Sequence, residues 1–133
     1  AASSDYPLRD VYKRQEIVRG DLKKYDWLHM HHEDFTGQYG KFYASYHTAK
    51  WYVDQVANAE AMAKSLGFTK VSKLKLFVTK TIKEYVQNGG FLFSMCSGTD
   101  SFDIALAAEN DDICESMFDG DAADADQQAN LEF

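Results

Sequence analysis

Two groups of side chains in this chain have the types and spacing for chemistry. The first is Cys96, in the string Ser94-Met95-Cys96-Ser97-Gly98 that closes the apolar run from Phe91. The second is His29, His31, His32, Glu33 and Asp34, which crowd the end of the run Trp27–His31. A thiolate is a nucleophile, an imidazole can take the thiol proton, and a carboxylate can hold the ring. His31 and His32 are the preferred bases for Cys96, with Glu33 or Asp34 as the orienting acid. Strand alternation predicts His29 and His31 on one face and His32 on the other.

For these groups to meet, both must lie at the carboxyl edge of a parallel sheet, where open α/β sheets bind ligands. The elements read from the pattern satisfy that. Asp26–His31 is predicted to be a buried strand, and His32–Gly40 a loop rich in turn formers. Apolar residues at three- and four-residue intervals give a helix over Thr48–Leu66, stopped by Gly67. A second helix spans Val71–Asn88 and is stopped by Gly89-Gly90. Phe91–Cys96 reads as a central parallel strand, Ser97-Gly98-Thr99 as a turn, and Asp100–Ala108 as a helix that Ser97 or Thr99 can cap. Gly37–Tyr43 is aromatic-rich and suits a loop packed on the sheet or a pocket wall. The fold class is therefore α/β: a βαβα fragment of a doubly wound parallel sheet, flavodoxin-like and incomplete.

That placement gives Cys96 its chemistry. A helix start carries unsatisfied N–H groups and partial positive charge, which favour thiolate over thiol. The Ser97 N–H points where an oxyanion would develop during attack on a carbonyl. Ser97, Gly98 and Thr99, with Asp34, are the expected oxyanion and ligand-binding residues. Two other readings use the same residues. In one, Cys96 is a buried structural thiol and the histidines are held by backbone or carboxylate partners. In the other, the His29–Asp34 cluster serves a metal-dependent hydrolase, since His29 and His31 would stand about 7 Å apart on one face. The preferred reading has no metal and no cofactor.

Composition narrows the partners. The net charge of −7 is concentrated at one end. Residues 16–108 hold eleven basic and ten acidic side chains, whereas residues 109–133 hold nine acidic and none basic. No basic stripe for nucleic acid is present, and no apolar run reaches the ~20 residues of a membrane span. The expected partner is a small-molecule substrate. Two cysteines make no disulfide framework, and no zinc-finger spacing is present. Asp119–Asp126 reads as an exposed acidic loop.

The chain divides into residues 1–15, 16–118 and 119–133. Asp10–Gln15 resembles the in-frame translation of a sequencing-transposon end, so Ala1–Gln15 is read as foreign and Glu16 as the first residue of the fold. A disordered tail is the alternative. Residues 119–133 are read as a truncated acidic tail. Parts of a longer parent chain are expected before Glu16 and after Phe133.

The string around Cys96 resembles the G-x-C-x-G nucleophile elbow of class I glutamine amidotransferases, with Ser94 in place of the first glycine. Gly89-Gly90-Phe91-Leu92-Phe93 is similar to the strand approach of the trehalose-utilisation (ThuA-like) branch. The blocks Trp27–Gly40 and Gly89–Ser97 resemble a bacterial family commonly labelled asparagine synthetase B. The resemblance implies a longer protein with a glutamine amidotransferase-like fold, and a thiol amidohydrolase or amidotransferase chemistry at Cys96. A non-catalytic ligand-binding domain of that fold is the alternative. In the amidotransferases the catalytic histidine and its acid follow the elbow, whereas no histidine follows Cys96 here. The label itself finds no support in the motifs. Glutamine-dependent asparagine synthetases use an N-terminal cysteine and a Ser-Gly-Gly-x-Asp-Ser loop, which Ser97-Gly98-Thr99-Asp100-Ser101 does not reproduce.

Overall fold

A computed structural model describes residues 16–133 apart from Tyr39. The reading of residues 1–15 lies outside them. The elements are a 3-10 turn at Asp21–Lys24, strand β1 (Trp27–His31), helices α1 (Gly40–Tyr46), α2 (Lys50–Ser65) and α3 (Val71–Gln87), strand β2 (Phe91–Met95), and helices α4 (Ser97–Ala107), α5 (Ser116–Asp119) and α6 (Gln127–Asn130). The fold is mixed α/β, with β1 and β2 paired in parallel from Trp27↔Phe91 to His31↔Met95. No helix among the described residues is long and apolar enough to cross a membrane.

The core forms on one side of the sheet. Leu28 and Met30 point into it from β1, with Leu92 beside them from β2. They meet the α3 stripe of Val71, Leu74, Val78 and Ile82, and Ala105 of α4. Val71, Leu74, Val78 and Ile82 fall at three- and four-residue intervals, so the helical period marks the buried face of α3. Helix α2 lies outside α3 and contributes the fully buried Ala63.

The end of α3 shows how the two glycines set up β2. Gly89 takes φ 96, and the N–H groups of Gly89 and Gly90 donate to the carbonyls of Val86 and Tyr85 at 3.0 and 2.9 Å. This is the paired bonding of a glycine-terminated helix. Gly90 is needed for space: a Cβ there would stand 2.3 Å from Cζ of Tyr85. That ring is anchored by its hydroxyl, which donates to the Tyr25 carbonyl at 3.0 Å.

Several expectations are corrected. The stretch read as loop or pocket wall contains helix α1. Phe42, Tyr43 and Tyr46 fall at helical intervals and pack against Trp51 and Tyr52. Helix α4 starts at Ser97, directly after Cys96, with no intervening turn and no side-chain cap from Ser97 or Thr99. Strand β2 is not buried on both faces: Phe91 is 59% and Phe93 43% exposed. The core side chains Leu28 and Met30 face α3 and α4, whereas Trp27, Phe91 and Phe93 on the other face are exposed. The acidic segment, although largely exposed, is tied to the body. Lys70 Nζ binds Asp112, Asp119 and Asp121, and the Glu132 N–H reaches the Ala107 carbonyl at 3.0 Å. One cation among three carboxylates is the physical reason, and it holds the Lys70 pKa well above the usual lysine value, chiefly through Asp121.

Replacing Gly90 by Ala is expected to displace Tyr85 and cost about 1–3 kcal/mol, as overpacking does. Urea unfolding measures this. A G90A midpoint equal to that of the parent would show that the close approach is no constraint.

Candidate functional site

The parallel register carries the ends of β1 and β2 to the same level. Beyond it, two residues adopt positive φ without being glycine: His32 at 55° and Cys96 at 53°. For L residues this region is costly, about 1–3 kcal/mol each, and it concentrates at functional sites. Both sit on the sheet's carboxyl edge. Cys96 (φ 53, ψ −140) makes the whole strand-to-helix reversal by itself and occupies the N-cap position of α4.

The consequence is convergence. One donor atom each from His31, His32 and Cys96 all lie within 4.8 Å of one another. Cys96 is exposed, so it is not the buried structural thiol of the rival reading. The expected alternation fails at His32. Its positive φ turns the chain, so its ring lies 3.8 Å from that of His31, centroid to centroid, instead of on the opposite face. Among the described residues, neither ring nor the Cys96 sulfur makes a hydrogen bond, so the thiol–imidazole contact is close but unformed.

The elbow packs against the end of β1 through Gly98. A Cβ there would sit 3.6 Å from the Glu33 nitrogen and 3.7 Å from the His31 nitrogen, both ordinary contacts. Ser94, the departure from a glycine, is accommodated: its Oγ accepts a hydrogen bond from Thr99 Oγ1 at 3.2 Å. Thr99 is therefore bonded to the elbow's own strand. The Thr99 N–H donates to the Cys96 carbonyl at 3.1 Å. The Ser97 N–H belongs to the first turn of α4, where backbone donors lack helical partners.

Glu33 and Asp34 do not join the three-donor group. The Glu33 carbonyl accepts a hydrogen bond from Ser101 Oγ at 2.6 Å, tying the β1 loop to α4. Asp34 holds the loop in shape. Its Oδ1 accepts from the Thr36 N–H (3.0 Å) and hydroxyl (2.6 Å), and its Oδ2 from the Gly37 N–H (3.1 Å) and Lys75 Nζ (2.5 Å). Burial pushes the Asp34 carboxyl up, but the Lys75 ammonium and the Thr36 bonds outweigh it and hold the group at about 2. Asp34 is thus a scaffold residue in this geometry, not a ring-orienting acid.

His29 also stands apart. Its ring lies 5.3 Å from Phe93 and 6.4 Å from His31, and its Nε2 is buried with no hydrogen-bond partner among the described residues. The donor set envisaged for the metal-dependent hydrolase, His29 and His31 with Glu33 and Asp34, is not among the convergent donor groups of the described residues. Cys114 is likewise structural. It is buried, donates its thiol to the Thr36 carbonyl at 3.2 Å, and is pushed up to about 12 by burial and by nearby Asp119 and Asp112.

Lys75 and Ser101 were missed by sequence reasoning. Lys75 did leave a signal, because it falls on the Val71–Leu74–Val78 stripe of α3, where a charge requires a buried partner. Ser101 left none, since its role depends on a backbone carbonyl in another element.

No protein-family description, curated protein or solved structure matches this chain.

The Lys75–Asp34 pair is 4% and 34% exposed on its two side chains. Asp34→Asn is expected to cost roughly 2–4 kcal/mol, less than a fully buried pair because solvent screens the carboxylate. The folded pKa lies below the unfolded one. The pair's contribution is therefore complete above about pH 4 and is lost as pH falls through about 2. Urea midpoints between those pH values should fall for the parent and stay flatter for D34N. Parallel curves would remove Asp34 as the loop's anchor.

Proposed function

We propose that residues 16–133 belong to a flavodoxin-like domain of the class I glutamine amidotransferase kind, in which Cys96 is a thiol nucleophile acting on an amide or a related acyl substrate. One observation carries this reading. An exposed cysteine holds a strained conformation at a strand-to-helix reversal, with two imidazole rings beside its sulfur. Strain of this kind persists only where surrounding structure enforces it. Here the contacts that flank it are the hydrogen bonds of Thr99 to Ser94 and of Ser101 to the Glu33 carbonyl.

The chemistry follows the usual thiol route. His31 or His32 takes the proton from Cys96 Sγ, and the sulfur adds to the carbonyl carbon. The Ser97 N–H donates to the oxyanion, and the departing amine takes the proton back, leaving a thioester. Water then breaks the S–C bond, giving a carboxylic acid and restoring the thiol. The resemblance to the family labelled asparagine synthetase B supports the fold and the elbow, not the labelled reaction.

A non-catalytic ligand-binding domain of the same fold is the competing reading. What favours it is the unformed thiol–imidazole hydrogen bond and the commitment of Asp34 elsewhere. Alkylation by iodoacetamide at pH 7 separates the two. The nucleophile reading expects Cys96 to react about 10-fold faster than an ordinary thiol, which is only a few per cent ionised at that pH. Changing His31 and His32 together to Asn should remove most of the excess. An ordinary rate that the double variant leaves unchanged would rule out the nucleophile and favour the binding domain.

A further inference from the structure

Cys96, His31 and His32 also form a constellation that thiol chemistry does not require. Three soft or borderline donors converge from two different strand ends, each offering one atom, all within 4.8 Å of one another. Donors around a tetrahedral zinc sit on the order of 3.5 Å apart, given bonds of about 2.3 Å to sulfur and about 2.0–2.1 Å to nitrogen. Small rotations of side chains that are exposed or half-buried close the difference. None of the three donors is committed to a hydrogen bond among the described residues. Two consecutive histidines on a regular strand would face opposite ways. Here the positive φ of His32 brings its ring onto the side of His31.

We propose that Cys96, His31 and His32 form a three-ligand site for a zinc-class divalent cation, open to solvent at its fourth position. Imidazole and thiolate together suit this class of metal, and carboxylates are absent from the set, which disfavours calcium and magnesium. Binding releases the thiol proton to solvent and ties up the sulfur lone pair. Where Cys96 is a nucleophile, the metal therefore masks it; that consequence, unlike the site itself, rests on the function proposed above. The other convergent group, Asp112, Cys114 and Asp119, is already neutralised by Lys70 on Asp112 and Asp119, and its thiol is bonded to the Thr36 carbonyl.

Cobalt(II) titration of the full, reduced chain tests the site. It should bind one equivalent with a thiolate-to-cobalt charge-transfer band, and zinc should displace it and protect Cys96 from iodoacetamide. His31→Asn and His32→Asn should each weaken binding at least about 100-fold, since even the outer partners of metal ligands are worth about 10–100-fold. Asparagine is chosen because it tolerates the backbone of His32, and far-UV circular dichroism confirms the fold. Cys96→Ala should abolish the band and Cys114→Ala should keep it. Absence of the band in the parent overturns the site, as does a band that survives C96A but not C114A. A rapidly alkylated thiol that zinc leaves unprotected defeats the metal site alone. Metal binding around an unreactive thiol defeats the nucleophile alone.

Discussion

The parallel register of two five-residue strands is the constraint on which the rest depends. Pairing His31 with Met95 puts the ends of both strands level, so the next residue of each, His32 and Cys96, leaves the sheet at the same edge. A shift of one residue would turn each side chain of a strand to the opposite face. Leu28 and Met30 would then face solvent while Trp27 and His29 entered the core. The burial of those two apolar side chains against α3 and α4 thus selects the register that brings sulfur and imidazoles together. Hydrophobic packing on one side of the sheet positions polar side chains at its end.

That edge is held by contacts that differ in kind. Asp34 and Lys75 fix the loop after β1 from beneath, with three further donors satisfying the carboxylate. Ser101 fixes the same loop from the α4 side by a hydrogen bond to the Glu33 carbonyl, with the buried Gly98 beside it. The two positive-φ residues lie between these anchors. Between those anchors the donor atoms of His31, His32 and Cys96 stay within 4.8 Å of one another.

The opposite face of the sheet follows a different logic. Trp27 meets Phe91 edge-on at 6.1 Å and His29 meets Phe93 at 5.3 Å, so the cross-strand pairs are aromatic on the face away from Leu28 and Met30. Such pairs contribute to strand pairing beyond the area they bury. They stabilise the same register from that face. At the other extreme of charge, the acidic end of the chain is gathered by Lys70 and so does not behave as a free tail.

Local patterning was enough to identify both strands, the two long helices, and the carboxyl edge as the place where Cys96 and the histidines should meet. Alternation and the 3.6-residue period are properties of short segments, and Leu28, Met30, Leu74 and Ile82 satisfy them without reference to the rest of the chain. Helix α1 was hidden by neighbouring glycines, and its aromatic residues find their partners in α2. Ring placement was not legible either, because the direction of His32 is set by one backbone angle that loop closure imposes. The fate of Asp34 likewise depended on Lys75, which lies on a different element and reaches it only once α3 packs against the sheet. The sequence by itself determined which residue types could do chemistry and which sheet edge they occupy, because residue type and period are local. Only the tertiary structure decided which of them converge, because convergence depends on the register and on the strained angles at His32 and Cys96, both enforced by contacts between distant segments.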